Sequence, residues 1–379
     1  MKVAVFCHQP IQSGANQSLY DWVSSANKSI LDIYIVLPFP NKALQTLFEN
    51  AGCTVWIGFY SNPLRHLENR PFAKKVVDFL QFIYAFLFND ISYYVLMRRI
   101  IKNNIDIIQS NSFATLAGAI IAKRCHKPHV WHIRELMRED HKIEHFGTID
   151  IESLCRYSDA IFISSFVKEK YSSYKFKSQT VINDQVVYDA HYANEKKFLD
   201  SGLCRMMIAG TIMKSKGQLE AIKATRIVHD LGYEIILDIY GKGDLEYIQY
   251  AYKDIPYIRY CGQKNNLDEI RTQYDIGLTC SSNEALGRVT IEAMYYGNLV
   301  IGADAGFTPY IIQNNAFGFL YKQGDESDLA KKIIYAITHR DESQKKICSA
   351  KEYAIDHYSH PIDNLFLAVY EDALNVKEK

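Results

Sequence analysis

The stretch SSNEALGRVTIEAMYYGNLVIG, residues 281–302, holds most of a β–α–β unit. Just before it, residues 275–279 (DIGLT) read as a buried strand. Residues 281–286 form a loop by composition, and an apolar helical pattern begins at Gly287 or Arg288. Residues 299–301 read as the next strand. Two carboxylates, Glu284 in the loop and Glu292 in the first turns of the helix, flank Gly287. A helix amino terminus presents N–H groups and a partial positive charge, and a glycine lets an anion approach them. Carboxylates accept hydrogen bonds from hydroxyls, and a diol offers two. The set suits a phosphate flanked by hydroxyl-bearing groups, as in a nucleotide-sugar. Acidic residues are also common near helix starts because they favour the macrodipole, so the two glutamates alone do not decide between these readings.

The same alternation extends in both directions. Strands are expected at 3–7, 32–37, 54–57, 105–108, 128–131, 160–163 and 180–182, and then at 205–209, 235–240, 257–260, 276–279, 299–301 and 319–321. Helical stretches between them include 16–26, 41–50, 114–124, 218–230 and 288–296. Near-continuous apolar strands separated by helices imply parallel sheets covered on both faces, a doubly wound α/β architecture. A chain of 379 residues is too long for one core, so two domains are expected. The polar stretch 183–202 lies between strands and divides them into 1–185 and 200–352. A helical tail, 353–379, is placed to pack back on the first domain. Ligands of such folds bind at the carboxyl ends of the strands, here in a cleft between two facing domains.

Composition narrows the function. The formal net charge is zero, which gives no indication of nucleic-acid binding. Residues 1–180 are basic, with 21 Lys+Arg against 15 Asp+Glu, so the remainder is acidic and the halves suggest different partners. Eight scattered cysteines without a C-x-x-C pair argue against a zinc site and a disulfide framework, and for a reduced cytoplasmic location. No secretion leader is read at the start of the chain. The most apolar run, 76–88, reads as too short to span a bilayer and contains Asp78 and Gln81. With Arg70, Lys74 and Lys75 before it, the segment 70–88 suits an interfacial helix on a membrane surface, or else a core helix with a basic end.

E-A-L-G-R-V-T-I-E resembles the E-x7-E signature of the retaining glycosyltransferases of family 4, which have the GT-B fold of two facing Rossmann-like domains. Further segments resemble that family in order: GANQSL (14–19), VWHIRE (130–135), SDAIFISSFVKEKY (158–171) and IAGTIMKSKGQLEAIKA (208–224). The resemblance implies that Glu284 contacts the transferred sugar and Glu292 the ribose. It implies that Lys216 contacts the pyrophosphate, with Gly287 and Gly14 allowing close approach. His132 becomes a catalytic candidate facing the cleft and Arg134 an acceptor-binding one, although Arg134 also stands where it can pair with Glu135. It implies a nucleotide-sugar donor, a saccharide or lipid-linked acceptor, and neither a cofactor nor a metal; no D-x-D motif stands out. Two departures matter. Thr211 stands where many relatives carry an arginine after Gly210, and Phe307 and Tyr310 stand where many carry a glycine and a glutamate. Arg288 is the candidate to supply the charge that Thr211 does not. A nucleotide-sugar epimerase and a non-catalytic sugar-nucleotide-binding subunit of a membrane complex are the rival readings.

Overall fold

A computed structural model describes the chain except for residues 12, 69–70, 140–141, 147–148, 193–196, 265 and 376–379. Arg70, one of the basic residues of the membrane expectation, lies outside the described residues. The chain divides into two compact units: Met1–Gln185 with Pro361–Lys379, and Val186–His360.

The first unit contains β1 (Lys2–Phe6), β2 (Asp32–Leu37), β3 (Thr54–Ile57), β4 (Leu64–His66), β5 (Ile107–Ser110), β6 (His129–Ile133), β7 (Ile143–His145), β8 (Asp159–Phe162) and β9 (Gln179–Val181). Seven of these make one parallel sheet in the order β3-β2-β1-β5-β6-β8-β9, while β4 and β7 pair as a small antiparallel ribbon. Alternation along β1 supplies two cores. Val3 and Val5 join one with Trp22, and Ala4 and Phe6 join another with Leu96 and Ile100. The helix Asp363–Asn375 closes the first of these, with Phe366 stacked on Trp22 at 4.5 Å between ring centroids.

The second unit contains β10 (Cys204–Ala209), β11 (Ile235–Tyr240), β12 (Ile258–Gly262), β13 (Ile276–Thr279), β14 (Leu299–Ala303) and β15 (Gly318–Tyr321). They form a parallel sheet in the order β12-β11-β10-β13-β14-β15. Val186 is tied into this unit: its N–H donates to the Tyr358 carbonyl at 2.8 Å and its carbonyl accepts from the Tyr295 hydroxyl at 2.9 Å.

Every expected strand forms, with β5 shifted two residues along the chain. The strands missed are β4 and β7, whose three residues each are too short to show a period. The tail is two helices, Arg340–Tyr358 and Asp363–Asn375, interrupted at Pro361, whose ring disfavours helical conformation in the residue before it. The largest correction is the helix Phe72–Lys102. The apolar run at its heart suggested a segment too short to span a bilayer; the helix has 31 residues and is long and apolar enough, by length and composition alone, to do so. Asn89, Asp90 and Ser92 interrupt the apolar run without interrupting the helix.

Candidate active site

Each sheet changes its direction of growth beside its first strand, between β1 and β5 in the first unit and between β10 and β13 in the second. Loops leaving neighbouring strands at such a point diverge, and their carboxyl ends form the usual ligand site of open α/β sheets.

In the second unit the chain leaves β10 through Gly210 (φ +145°) and the turn Lys214–Lys216, then enters the helix Gln218–Asp230 at Gly217 (φ +69°). A Cβ on Gly217 would lie 2.3 Å from the carbonyl oxygen of Cys280, directly after β13. Only glycine permits both that conformation and that approach. The contact draws the loops after β10 and β13 together, and the Ser282 N–H donates to the Ser215 carbonyl at 2.9 Å. Lys216 and Glu284 meet as a result, Nζ donating to Oε1 at 2.7 Å. A third loop fixes Glu284 from behind: a Cβ on Gly306 (φ +61°) would lie 2.4 Å from the Glu284 nitrogen, and the Phe307 N–H donates to the Glu284 carbonyl at 2.9 Å. Phe307 and Tyr310, the departures noted in the sequence, stack at 5.1 Å with planes 14° apart.

Gly287 (φ +79°) precedes the helix Arg288–Tyr295. That φ strains any side chain there independently of any ligand, and a Cβ would also press on Ile311 Cδ1 at 2.7 Å. Arg288 is the helix's first residue and half-buried; its charge opposes the rise that burial imposes on the Tyr295 phenol. Glu292 Oε2 stands 2.6 Å from Nη2 of Arg271, which is 2% exposed. Desolvation, and then the charge of Glu292, raises the half-buried Asp268 carboxyl nearby. Each glutamate is therefore held by a cation from another segment. Sequence reading missed Arg271 and Gly306. Gly306 lies in the very loop flagged for its departures, whereas Arg271, on a four-residue helix far upstream of Glu292, carries no motif.

The first-unit candidates lie differently. Gly14 opens the helix Gly14–Ser25, capped by Ser13 accepting from the Asn16 N–H at 3.3 Å; it is exposed, and a Cβ there would meet nothing within 4 Å. His132 is fully buried rather than open to solvent, its ring 5.1 Å from that of Phe366. Burial, and then the charge of Arg134, holds its pKa well below the ordinary value. Arg134 does not pair side chain to side chain with Glu135. It forms a buried ion pair with Asp184 and donates from Nε to Asn111 Oδ1 at 2.8 Å. Asn111 Nδ2 in turn donates to the Ala15 carbonyl at 3.2 Å, so Arg134 supports the first turn of the helix that Gly14 opens. Glu135 accepts from Ser112 Oγ at 2.5 Å and the Ala114 N–H at 3.1 Å. Among the described residues no group of three or more His, Cys, Asp or Glu side chains is arranged to hold a metal ion.

Residues 194–353 match the family model described as "Glycosyl transferases group 1", less than half of the chain. Over 118 residues the chain is 27% identical to N-acetyl-alpha-D-glucosaminyl L-malate synthase of Bacillus anthracis, a match covering 31% of each protein. Solved structures resemble it along nearly its whole length. Alr3699/HepE of Anabaena in complex with UDP superposes with a TM-score of 0.76 at 17% identity, covering 98% of this chain and 100% of the other. A glycosyltransferase from Rickettsia africae gives 0.75 at 15%, covering 98% of both. TarM of S. aureus, in complex with Fondaparinux, alpha-GlcNAc-glycerol and UDP, gives 0.73 at 12%, covering 99% of this chain and 100% of the other. The fold is GT-B, with two Rossmann-like units, and residues 194–353 of the second unit are similar to the group 1 glycosyl transferases.

Proposed function

We propose that the chain is a glycosyltransferase that moves a sugar from a UDP- or GDP-linked donor to an acceptor hydroxyl, with retention at the anomeric carbon. The observation that carries this reading is the meeting of Lys216 with Glu284 at the switch point of the second sheet, with Glu292 braced by Arg271 one helix turn beyond. The cation suits a diphosphate, and the two carboxylates suit the hydroxyls on either side of it. As the acceptor oxygen attacks, the bond from the anomeric carbon to the diphosphate breaks, and the acceptor proton passes to the leaving phosphate. No protein nucleophile is needed. Lys216 and Arg288 meet the growing charge on the leaving group. The similarity of residues 194–353 to the group 1 glycosyl transferases and the UDP held by the Anabaena protein support a nucleotide-sugar donor. The acceptor is a saccharide or lipid-linked saccharide of bacterial-type cell-surface polysaccharide or glycolipid assembly, a reading supported by the glycerol-linked GlcNAc in the TarM complex. Thermal shift with a panel of UDP- and GDP-sugars tests the donor, because a ligand of the folded form raises the melting temperature. NMR of the product tests retention. An isomerised free donor or an inverted product overturns the reading.

Arg288 provides a second test. Arg288→Ala is expected to weaken nucleoside-diphosphate binding and also to lower the turnover number, because leaving-group charge grows toward the transition state. Thr211 is exposed just beyond β10, and Thr211→Arg in that variant is expected to recover part of both losses. Unchanged diphosphate affinity in Arg288→Ala, measured by calorimetry, would leave Arg288 without this role.

A further inference from the structure

We infer that the outward face of the helix Phe72–Lys102 is a docking surface for an anionic lipid bilayer, lying in the plane of its headgroups. One face of this helix belongs to the protein. Ala85, Asn89, Tyr93, Leu96 and Ile100 are buried, and the last three of the apolar ones enter a core with Phe6 and Val36 of the sheet. Asn89 exchanges two hydrogen bonds of 2.9 Å with the backbone of Ser61, and Ser92 Oγ donates to the Phe59 carbonyl at 2.6 Å. A helix held along this side cannot cross a membrane without dismantling that core. The opposite side is apolar rather than polar. Phe79, Leu80, Phe86, Leu87, Ile91 and Tyr94 are each more than half exposed, and Phe72 is 82% exposed. At helical spacing these residues line the solvent side for about 33 Å. An unpartnered apolar surface of this extent marks an interaction site.

Charge selects the occupant. The helix carries Lys74 and Lys75 near one end and Arg98, Arg99 and Lys102 near the other. Its acids are Asp90, 2.8 Å from the Arg124 guanidinium, and Asp78, 3.8 Å from the His66 ring, which balances it only when protonated. A second copy of the same helix, parallel or antiparallel, would bring basic ends against basic ends. Anionic headgroups complement both ends while acyl chains take the aromatic and aliphatic stripe, as in interfacial helices. This inference does not rest on sugar transfer, and its test uses vesicles without any acceptor.

The full-length chain is floated with phosphatidylcholine vesicles and with phosphatidylcholine–phosphatidylglycerol vesicles. Binding is expected with the anionic mixture at low salt and should weaken as salt rises. Phe79→Ser/Leu80→Ser/Leu87→Ser/Ile91→Ser, all at exposed positions, is expected to reduce the bound fraction at least tenfold. The milder Phe79→Ala/Leu87→Ala should fall between, with tryptophan emission confirming that both variants fold. Lys74→Glu/Lys75→Glu should remove much of the salt dependence. No flotation of the unaltered chain, or flotation unchanged in the fourfold variant, overturns the inference. So does a concentration-dependent dimer abolished by the fourfold variant when vesicle binding is absent.

Discussion

Glu284→Ala is expected to lower turnover by roughly ten- to more than a hundredfold while nucleoside-diphosphate affinity persists. The magnitude follows from the loss of one hydrogen bond between a charged group and a hydroxyl, about 1.5–3 kcal/mol. The separation of the two effects follows from geometry. Glu284 sits on a backbone clamped by Gly306 and Phe307, so removing its carboxylate leaves the loop in place. Its partner Lys216 belongs to a different loop, which closure at Gly217 and the Ser282–Ser215 hydrogen bond fix independently. Lys216→Ala should show the converse pattern, with weakened diphosphate binding as well as slower turnover. Glu284→Gln keeps the shape and loses the charge, and should fall between wild type and alanine in rate. Initial rates with the cognate donor and calorimetry with UDP and GDP separate the cases. Near-normal turnover in Glu284→Ala would remove the residue from the reaction. Loss of diphosphate affinity in that variant would mean that its main task is to position Lys216.

The reasons some of this was legible and some was not are physical. Parallel strands buried on both faces leave continuous apolar runs, and helices between them leave their own period, so β1 to β3 and β10 to β15 could be read directly. The segment 281–302 showed its glutamates because a loop and a helix start have local signatures. What could not be read was tertiary. Arg271 meets Glu292 only because the chain passes through β13 and its loop and returns in the helix that follows. His132 is sealed by Phe366, more than two hundred residues later, on a helix the sequence could place only approximately. The long helix Phe72–Lys102 was shortened by the polar residues that anchor it: Asn89 and Ser92 look like interruptions in a hydrophobic run but serve as its attachment to the loop at 59–61.

Acid is expected to unfold the first unit before the second, and its histidines are the reason. His129 is fully buried between two serines, Ser110 Oγ 3.0 Å from Nε2 and Ser158 Oγ 2.7 Å from Nδ1. The Ser158 hydroxyl hydrogen is already given to the Leu154 carbonyl at 2.7 Å, so Nδ1 carries the proton and Nε2 accepts from Ser110 in a satisfied neutral ring. Burial pushes His129 down to about 3. It pushes His145 down to about 4, against a hydrogen bond with the Phe113 carbonyl, and His132 lies well below the ordinary 6.5. With folded pKa values depressed, the unfolded chain binds more protons below pH 6.5. The stability these neutral rings confer is complete above 6.5 and declines as pH falls. Between pH 6.5 and 4.5 the His129 and His145 rings each lose about 2 kcal/mol, a large share of the stability of an ordinary domain, and His132 acts in the same direction. In the second unit all five histidines are exposed, and desolvation raises the carboxyls of Glu220 and Asp268, a contribution of opposite sign that favours the folded form as pH falls. All three tryptophans, Trp22, Trp56 and Trp131, lie in the first unit, so their emission reports it selectively. The tryptophan-monitored melting temperature should fall steeply between pH 6.5 and 4.5, with the second unit outlasting it by calorimetry. His129→Gln, less stable at pH 7.5, should show a shallower fall. A melting temperature constant across that range would mean that these rings are not held neutral by burial.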